Sequence, residues 1–567
     1  MTTEINRPVA GDHPHPWLSA YPERVRWNQQ FKPAPLFDLL DQSVAGFPDR
    51  ICTLFLGRAT TYGEIGREVD RVAAGLSALG IGKGSRVGLF LPNCPTFIVF
   101  YFATLKTGAT VVNYNPLYAV EELAYQVTDS KTDLMVTLDL RVLFTKVEAL
   151  LAQGVLPRAV VASFTSHLPT AKSILFRLFR RHELVDPELS DQAHKLVLAH
   201  HLAPLAAPYV AAAIDPESDI AVLQYTGGTT GTPKGAMLTH ANCYINVQQV
   251  AAWAPDLAMG EERVMGVLPF FHVFAMTVVM NLAIAKAAEI VVMPRFNLDD
   301  CLALIDRAKP TVMPGVPTLF GAIVNHAKLA DHDLSSLRLC LSGGAPLPLE
   351  IKTRFETLTG CIIIEGYGLS ETSPVATSSP LDGPYRAGSI GLPLPATQIS
   401  LRDLADPNRE VPIGEKGEIC IAGPQVMKGY WLKPEETARQ FVGPYFRTGD
   451  VARMDADGYI YIEDRIKDLI ISSGYKVYPR RIEEAIYTHP AVEEVTVIGI
   501  PDPYRGEAPK AFVKLRAGCD AEPAAILSHV TPKLSPHELP AAIEFRDSLP
   551  KTMIGKLSKK ELRAEHA

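Results

Sequence analysis

The sequence predicts an α/β protein built on mainly parallel sheet. Three observations point to this class. Apolar strand-like runs recur along the chain, helix-length segments separate them, and short runs between glycines and prolines replace this alternation beyond about Arg386. At 567 residues the chain is too long for one hydrophobic core, so at least two domains are expected.

The first block begins with a helix predicted from Thr61 to Leu79. Thr61 and Glu64 have the spacing of a capping box, which marks a helix N-terminus. The residues that follow place one apolar face on this helix: Tyr62, Ile65, Val69, Val72, Leu76 and Leu79. Strand-like runs follow at Val87–Leu91, Leu134–Leu138 and Ala159–Ala162.

A second α/β block follows in the middle of the chain. Its strand candidates are Val264–Leu268, Ile290–Met293, Thr311–Pro314, Leu337–Leu341 and Ile362–Glu365. A helix predicted at Asp299–Ala308 separates two of these strands. The alternation repeats that of the first block, which predicts a second unit of the same class.

The last third of the sequence contains two regions with different strand and helix patterns. Short runs such as Glu418–Ile421 and Tyr459–Ile462 indicate antiparallel strands or a small barrel. A compact unit then begins, with a helix at Pro479–Tyr487 and strands at Val495–Ile500 and Ala511–Leu515. We therefore expect an N-terminal domain over residues 1–464, a C-terminal domain over residues 465–567, and a hinge at the boundary.

Composition argues against several function classes. A net charge of −7 argues against a general nucleic-acid binder, whose surface would be basic. The eight cysteines are scattered without CxxC or metal-site spacing, which predicts a reduced cytosolic compartment rather than a disulfide scaffold. The N-terminal stretch has no basic region followed by an apolar core, so no secretion signal is expected.

Two segments raise the question of a membrane. Gly266–Ala285 carries no formal charge, but Pro269, His272 and Asn281 interrupt it, so we interpret it as buried core or pocket wall. Lys172–Arg181 alternates apolar residues with four cations and no acid. This pattern fits a surface helix that contacts anionic lipid, and equally a basic, solvated helix packed on its domain.

The stretch Tyr225–Gly235, YTGGTTGTPKG, carries the strongest chemical signal. Its glycines let backbone N–H groups turn toward an anion, its threonines add hydroxyl donors, and Lys234 supplies a positive charge. The spacing is not that of a Walker P-loop. A loop over polyphosphate is predicted, with a surface turn as the alternative.

Four further stretches add chemistry, each of them weak alone. LSGGAPL places a glycine pair after a strand, EGYGLSET offers a ring, a hydroxyl and a carboxylate, FRTGD presents an acid suited to ribose hydroxyls, and KTMIGK holds a lysine near the C-terminus. They are found at Leu341–Leu347, Glu365–Thr372, Phe446–Asp450 and Lys551–Lys556.

Together and in this order, these stretches resemble the adenylate-forming superfamily of acyl-CoA synthetases, non-ribosomal adenylation domains and luciferases. The resemblance covers nearly the whole chain, and within the superfamily it is closest to bacterial long-chain fatty acid–CoA ligases. The supporting runs are VVNYNPLY, PFFHVFAMT, SGGAPLP, GSIGLPLP, GPQVMKGYW and DRIKDLIISSGYKVYP. It implies a large N-terminal domain of two doubly wound α/β subdomains plus a small β-barrel, followed by a small mobile α+β domain.

The resemblance implies a nucleotide site. The ATP phosphates would be held by Thr226, Gly227, Gly228, Thr229, Thr230, Gly231 and Lys234. The adenine and its surroundings would be lined by Gly343, Gly344, Ala345, Glu365, Gly366, Tyr367 and Gly368. Tyr367 would pack against the base and Ser370 would hydrogen-bond the α-phosphate. Asp450 and Arg465 would bind the ribose.

It also implies catalytic and metal-binding roles. His272 would lie beside the acyl carboxylate, with core packing as the alternative role for this imidazole. Lys556 would bridge that carboxylate and the α-phosphate. Glu371 would hold Mg²⁺ together with Thr226, which suits a cation that prefers oxygen ligands.

For the second half-reaction the resemblance implies that the C-terminal domain rotates about Lys467 and withdraws Lys556. Ser472, Ser473, Gly474 and Tyr475 would then admit coenzyme A. The acyl tail would lie among Tyr244–Trp253, Phe271–Met280 and Met313–Phe320, which are apolar. These stretches leave medium-chain, aromatic and dicarboxylic acids open.

The chain departs from the commonest superfamily pattern at three positions. Ser370 replaces a threonine and keeps the hydroxyl, Asp464 replaces a glycine before Arg465, and Ala275 replaces a glycine after the His272 motif. None of these changes removes a reacting group. Ala275 bears on the acyl channel and so on chain-length preference.

The predicted function is ATP- and Mg²⁺-dependent ligation of a medium- to long-chain fatty acid to coenzyme A through an acyl-adenylate. The alternatives are an acyl-AMP ligase that loads a carrier protein, and a non-catalytic acyl or nucleotide sensor. Expected partners are the three substrates and no nucleic acid. A homodimer, peripheral contact with the inner face of the cell membrane and an acetyltransferase acting on Lys556 are compatible with the sequence.

Overall fold

The computed structural model describes residues 15–202, 209–226, 233–383, 385–472, 475–552 and 557–566. Its helices are α1 Asp38–Gly46, α2 Tyr62–Ala78, α3 Pro95–Lys106, α4 Val120–Ser130, α5 Arg141–Ala152, α6 Thr170–Phe179, α7 His240–Trp253, α8 Val273–Ala275, α9 Leu282–Ala285, α10 Leu298–Ala308, α11 Pro317–Val324, α12 Leu349–Thr359, α13 Pro434–Arg439, α14 Pro479–Tyr487, α15 Pro523–Val530 and α16 Lys560–Ala564.

The strands are β1 Ile51–Phe55, β2 Arg58–Thr61, β3 Arg86–Leu89, β4 Thr110–Asn113, β5 Leu134–Leu138, β6 Ala159–Ala162, β7 Leu196–Leu198, β8 Ile220–Thr226, β9 Lys234–Thr239, β10 Arg263–Gly266, β11 Glu289–Val292, β12 Val312–Gly315, β13 Leu339–Gly343, β14 Ile362–Gly368, β15 Val375–Ser378, β16 Leu392–Pro393, β17 Gln398–Arg402, β18 Lys416–Ala422, β19 Gly429–Tyr430, β20 Phe441–Val442, β21 Tyr445–Met454, β22 Ile460–Arg465, β23 Ile470–Ser472, β24 Tyr475–Val477, β25 Val492–Asp502, β26 Gly506–Leu515 and β27 Ala542–Phe545.

Two large sheets form the body of the molecule. The first has the order β19-β9-β8-β4-β3-β5-β6-β7, and the second has the order β16-β15-β14-β13-β12-β10-β11-β1-β2. The pairings from β8 to β7 and from β14 to β1 are parallel, and antiparallel strands occupy the edges. The predicted α/β class with mainly parallel sheet is confirmed.

Chain order and sheet order differ in one respect that the sequence did not reveal. Strands β1 and β2 come from the first block, yet β1 pairs in parallel with β11 of the second, with Thr53 opposite Ile290. Parallel neighbours are joined by long crossovers, so local periodicity carries no information on which distant strand a run will pair with. The N-terminal segment therefore ties the two blocks together.

Within the segment from Gln398 to Arg465, every strand except β19 belongs to a third, antiparallel sheet with the order β17-β18-β21-β20, to which β22 adds beside β21. This matches the antiparallel texture expected there. A fourth sheet, β24-β23-β26-β25 with β27 on β26, belongs to the C-terminal part of the chain. Its buried residues form clusters separate from the large core that extends from Trp17 to Ile460.

The two segments that raised the question of a membrane, Gly266–Ala285 and Lys172–Arg181, differ in their burial. The middle of Gly266–Ala285 forms α8, a π-helical turn at Met276–Asn281 and α9, and the π-helical turn is buried throughout. The interpretation as core or pocket wall is confirmed. The basic segment forms α6, which has no buried residue. Among the helices of the described chain, none has both the length and the apolar character needed to cross a bilayer.

Candidate active site

The glycine- and threonine-rich stretch connects two paired strands. Strand β8 ends at Thr226 and β9 begins at Lys234, and these two residues are antiparallel partners. One helix, α4, holds both ends of the connection. Tyr225 donates its hydroxyl to Asp129 at 2.5 Å, and Tyr125 donates to the carbonyl of Pro233 at 3.3 Å. A strand on each side of this stretch agrees with the sequence, which lacks the spacing of a Walker motif, where a helix follows.

Lys234 already has a counterion on the protein. Its ammonium forms an ion pair with Glu436 in α13 and lies 5.4 Å from the centre of the Tyr430 ring. The pairing with Lys234 is the main reason that the pKa of Glu436 is lowered. An incoming polyphosphate would therefore exchange with a carboxylate for this lysine.

A polar cavity of about 710 Å³ lies beside these strand ends. Sequence-predicted residues that line it are Thr226, Lys234, His272, Gly368, Ser370, Glu371, Arg465 and Lys467. The volume is within the range of sites that hold drug-sized ligands. The cavity thus brings together residues from four separate stretches of the sequence.

Asp450 is the centre of a buried hydrogen-bonded group next to this cavity. Tyr367 donates its hydroxyl to Asp450 Oδ2 at 2.7 Å, and Arg465 Nε lies 3.1 Å from Oδ1. The Asp450 carboxylate and burial together raise the pKa of Tyr367 well above its usual value, burial being the larger cause. Asp450 thereby accepts a phenolic hydrogen bond and contacts a guanidinium at the same time.

Glu371 is buried at the wall of the same cavity. Its Oε1 accepts a hydrogen bond from the Tyr430 hydroxyl at 2.8 Å, and burial raises the pKa of this carboxyl. One oriented carboxylate beside a phosphate loop fits Mg²⁺, which usually takes one or two protein carboxylates together with substrate phosphates and water. Within the described residues, no cluster of three or more His, Cys, Asp or Glu side chains could hold a metal alone.

Lys467 and Thr552 line the polar cavity from the C-terminal side. Lys467 is exposed, yet partial desolvation of its ammonium lowers its pKa to about 8, although Asp468 favours the charged form. Thr552 is four residues before Lys556, which itself lies outside the described residues. The C-terminal part of the chain therefore contributes directly to the cavity.

A second, apolar cavity of about 180 Å³ adjoins the first. Its apolar lining includes Val250, Trp253, Leu257, Phe274, Val278, Leu282, Leu339, Leu341, Ile364 and Leu394. Gly343, Gly344, Gly366 and Tyr367 also line it. The predicted acyl stretches at Tyr244–Trp253 and Phe271–Met280 thus contribute to it, whereas no residue of Met313–Phe320 does.

The two cavities share His272, Gly368, Leu369 and Ser370. The His272 imidazole is half-buried and accepts a long hydrogen bond, 3.3 Å, at Nδ1 from the Phe274 N–H. An apolar space and a polar, cation-lined space therefore meet at an imidazole and a hydroxyl. A molecule with an apolar tail and an anionic head would place its head at this junction.

Two glycines at the junction permit close approach. A Cβ on Gly343 would lie 3.0 Å from the Phe274 ring, and one on Gly368 would lie 1.8 Å from the Pro374 carbonyl oxygen. Any side chain at Gly368 would force the loop that carries Ser370 to move. These positions thus account for part of the glycine content that the sequence showed.

Some predicted residues fall elsewhere. Ala345 and Glu365 line neither cavity, and Glu365 accepts hydrogen bonds from the Leu347 N–H and the Tyr385 hydroxyl. Ser472 is buried in β23, and Tyr475 is exposed and stacked on His537. Those outside the described residues are Gly227, Gly228, Thr229, Thr230, Gly231, Ser473, Gly474 and Lys556.

Sequence reasoning did not single out several groups in the site. Asn113 donates to Gln224, and Gln224 donates to the Phe271 carbonyl, which forms a buried amide network at the cavity wall. Tyr430 and Glu436 orient Glu371 and Lys234. Asn113 and Tyr430 do lie in runs that carry the family resemblance, but nothing in the sequence around Glu436 indicates its pairing.

Comparisons with known proteins agree with this geometry. The model of the AMP-binding enzyme family matches residues 40–431, and the model of the AMP-binding enzyme C-terminal domain matches residues 481–556. A long-chain-fatty-acid–CoA ligase of Bacillus subtilis is 42% identical over 554 residues, 97% of this chain and 98% of that protein. A feruloyl-CoA synthase of an Amycolatopsis species is 35% identical over 509 residues, 89% of this chain and 94% of that protein.

Solved structures are similar over almost the full length. ATP-bound MatB from Rhodopseudomonas palustris superposes with a TM-score of 0.80 at 28% identity, covering 94% of this chain and 99% of that one. The anthranilate CoA ligase AuaEII in complex with anthranoyl-AMP gives a TM-score of 0.79 at 26% identity, covering 95% of this chain and 99% of that one.

Proposed function

The chain belongs to the AMP-binding enzyme family, and on that premise we propose that it is a fatty acid–CoA ligase that uses ATP and Mg²⁺. It activates a medium- to long-chain fatty acid as the acyl-adenylate, releases pyrophosphate, and transfers the acyl group to coenzyme A with release of AMP. The long-chain-fatty-acid–CoA ligases to which the chain is similar over its full length support this substrate class.

One observation carries the proposal: the apolar and polar cavities meet at His272 and Ser370. A fatty acid placed with its tail in the apolar cavity has its carboxylate at this junction. ATP on the Thr226–Lys234 hairpin, with its ribose near Asp450, has its α-phosphate at the same junction. The two reacting groups are thereby held in one place, which is the main requirement for this reaction.

The chemistry explains why charge is needed there. A carboxylate is a poor acceptor for a thiol, whereas a mixed anhydride with AMP has a good leaving group. Attack of the carboxylate oxygen on the α-phosphorus breaks the bond to pyrophosphate and accumulates negative charge on oxygen. Ser370 orients the α-phosphate by hydrogen bonding, Lys234 balances the leaving phosphates, and Lys556 neutralises the developing charge. Glu371 and Thr226, which line the same cavity, would hold Mg²⁺, and the bound cation would supply further positive charge to the phosphates.

Coenzyme A enters in the second step. We assign residues 1–464 to adenylation and residues 465–567 to a lid that moves about Lys467. Ser472 and Tyr475 line neither cavity in the present arrangement, so thiol delivery past residues 472–475 requires the lid to turn. Inter-domain motion is the usual behaviour where the shared interface is small and polar.

The size of the apolar cavity bears on chain length. At about 180 Å³ it is smaller than the usual range for a drug-sized ligand. It therefore holds only part of a long tail unless residues such as Trp253 and Leu257 move aside. Ala275, the last residue of α8, is buried but does not line this cavity, so any effect it has on chain length would act through the residues that do.

A pyrophosphate-release screen tests the activity and the substrate class together. The purified full-length chain is given ATP, Mg²⁺ and acids from short to long chain, with a dicarboxylic acid, benzoate and ferulate included. We expect release with medium- to long-chain fatty acids and little with the others. Ferulate as the best substrate would overturn the fatty acid assignment.

The same purified protein distinguishes the ligase from two alternative functions. Acyl-adenylate offered to coenzyme A and to an acyl carrier protein separates a ligase from a carrier-loading enzyme, which would acylate only the carrier. A non-catalytic sensor would release no pyrophosphate with any acid. The shared setting of Lys234, Glu371, Arg465 and Lys467 around one cavity argues against a sensor, because binding alone needs fewer reacting groups.

Helix α6 supports peripheral contact with an anionic membrane. Ile174, Leu175, Leu178 and Phe179 are between 52% and 74% exposed, and helical geometry places them within about 140° of one another. Phe176 packs on Phe164 on the side facing the domain. An exposed apolar stripe with neighbouring cations, Lys172, Arg177, Arg180 and Arg181, is the pattern of an interfacial helix.

We expect the full-length protein to sediment with vesicles of phosphatidylcholine and phosphatidylglycerol, and to bind pure phosphatidylcholine less. Leu178→Glu should lower the affinity by about tenfold or more. The change removes an apolar side chain that the bilayer interface would bury, and it adds a negative charge that anionic lipid repels. Ile413→Glu is the matched control, since Ile413 is similarly exposed on another face. Equal binding of both variants would contradict a role for α6.

Two further partners rest on the family resemblance alone. One is a second copy of the chain in a homodimer, and the other is a protein acetyltransferase that modifies Lys556. Acetylation would remove the charge that adenylation needs.

A further inference from the structure

Asp464 belongs to the last strand of the third sheet, β22, but its side chain contacts the C-terminal domain. Its Oδ2 accepts a hydrogen bond from the Arg480 backbone N–H at 2.8 Å, in the first turn of α14. Its Oδ1 accepts from the Arg465 N–H at 2.7 Å, and the side chain is buried. A carboxylate fixed on one domain thus caps a helix of the other.

The ammonium of Lys559, in the C-terminal domain, is close enough to this carboxylate to favour its charged form. Its Nζ forms an ion pair with Glu483 Oε1 at 2.9 Å, and Glu483 also accepts the Val497 N–H at 2.8 Å. Burial disfavours the charged form of Lys559, but Glu483, Asp464 and Asp468 outweigh it and raise the pKa. Lys559 therefore stays charged and attracts Asp464.

The same segment leads to the polar cavity. Lys551 and Leu557 form an isolated antiparallel bridge, and Thr552, inside it, lines the cavity. Lys559 follows two residues after the bridge. Arg563, further along in α16, pairs with Asp468 at 2.8 Å. The described residues before position 553 thus reach the cavity, and those after position 556 reach the domain boundary.

We propose that Asp464, the Arg480 N–H and Lys559 form a clamp that holds the C-terminal domain in the arrangement required for acyl-adenylate formation. In this arrangement Asp464 is a positioning residue that acts through Lys559 and the N-terminus of α14, and it does not touch substrate. The inference rests on the proposed function, because it assigns the clamp to the first of that function's two half-reactions.

The clamp is more buried than two other contacts across the boundary, those of Arg516 with Glu350 and of Lys416 with Tyr478. Arg516 and Glu350 pair at 3.3 Å with both side chains substantially exposed, and such pairs contribute little. Lys416 lies over the Tyr478 ring. Asp464, by contrast, is a buried carboxylate whose neutral replacement leaves the Arg480 N–H with a weaker acceptor. The Lys559–Glu483 pair lies wholly within the C-terminal domain and remains intact without Asp464.

The clamp is also sensitive to pH. Burial raises the pKa of Asp464 to about 6, with Glu483 adding to the rise and with Lys559 and the Arg480 and Arg465 N–H groups opposing it. Tyr478 also faces it but is neutral at this pH. Below about pH 6 the carboxyl takes up a proton, so it loses its attraction for Lys559 and accepts hydrogen bonds less strongly.

Separate measurement of the two half-reactions tests the proposal. Adenylation is followed by ATP–pyrophosphate exchange, and transfer is followed with preformed acyl-adenylate and coenzyme A, both with the full-length protein. In Asp464→Asn we expect exchange to fall about 10- to 100-fold, the range for losing a hydrogen bond to a charged group, while transfer changes less than about threefold. Asp403→Asn, which neutralises an acid of the same sheet paired with Arg409, should alter neither step.

The outcomes are distinct. An equal loss in both steps, or no loss in either, would overturn the clamp. Absence of exchange in the wild-type protein with every acid would instead overturn the proposed function. Thermal unfolding shows whether Asp464→Asn is folded, and if it is not, Asp464→Glu carries the same test because it keeps the charge but displaces the carboxylate.

The wild-type pH profile is an independent measurement. The ratio of exchange rates, wild type over Asp464→Asn, should decline toward one as pH falls through about 6, because protonation makes the two side chains alike in charge. Substrate ionisation affects both proteins equally and cancels in the ratio. The pH range of about 5 to 7.5 brackets the pKa of Asp464. A ratio that stays constant over this range would contradict a clamp that depends on the negative charge of Asp464.

Discussion

Replacing Lys556 with alanine is expected to reduce acyl-adenylate formation about 100- to 1000-fold, the effect seen when a group that stabilises transition-state charge is removed. ATP binding should change little, because the ammonium acts on charge that develops during the reaction. Pyrophosphate release under single-turnover conditions measures the rate, and equilibrium binding of ATP measures the affinity. Transfer from preformed acyl-adenylate to coenzyme A should be nearly unaffected.

Lys551→Ala is the matched control for that experiment. Lys551 is a lysine of the same segment, but it pairs with Glu494 at 2.5 Å within the C-terminal domain. Its loss should leave adenylation within about twofold, as expected for a partly exposed ion pair. Comparable losses in the two variants would show that the segment tolerates no change, and would remove the special role given to Lys556.

Glu371→Gln is expected to lower the rate of adenylation about 100-fold. The remaining rate should depend only weakly on the Mg²⁺ concentration. The amide keeps the shape of the side chain and the contact with Tyr430 but lacks the negative charge that a hard cation prefers. Because burial raises the pKa of Glu371, the ionised fraction in the wild type falls as pH decreases. The Mg²⁺ concentration for half-maximal rate should therefore increase at lower pH.

Tyr430→Phe provides a graded comparison. It removes the 2.8 Å hydrogen bond that orients Glu371 but leaves the carboxylate itself. The half-saturating Mg²⁺ concentration should rise about tenfold, as is typical when the partner of a metal ligand is lost. An unchanged Mg²⁺ dependence in Glu371→Gln would mean that the cation is held elsewhere.

Local patterns predicted the elements well where they were self-contained. The Thr61–Glu64 capping box begins α2 as expected, and Leu134–Leu138 and Ala159–Ala162 are β5 and β6 with the predicted bounds. The ends of most other strands differ from the predicted ones by up to three residues, and β26 begins five residues before its predicted start at Ala511. Pairing decides where a strand ends, and the partner strand is distant in sequence.

The candidate site was predicted in its parts but not in its contacts. Motif order brought Lys234, Glu371 and Asp450 to attention, and the structure brings the first two to one cavity with Asp450 next to it. The partners Glu436, Tyr430 and Gln224 come from other stretches, and no spacing rule links them. The π-helical turn at Met276–Asn281 also gave no signal, because its sequence, MTVVMN, shows no period that distinguishes a π-helical turn from an α-helix.

The ion pair between Lys234 and Glu436 has a consequence for turnover. The Lys234 ammonium pairs with Glu436 before the nucleotide binds and again after the phosphates leave. The free energy gained on binding is therefore the difference between the attraction of Lys234 for the phosphates and its attraction for the carboxylate. Affinity for the triphosphate is moderated accordingly. When pyrophosphate dissociates, Glu436 pairs with Lys234 again, so no unpaired cation remains. The same carboxylate therefore lowers the affinity for ATP and favours dissociation of pyrophosphate.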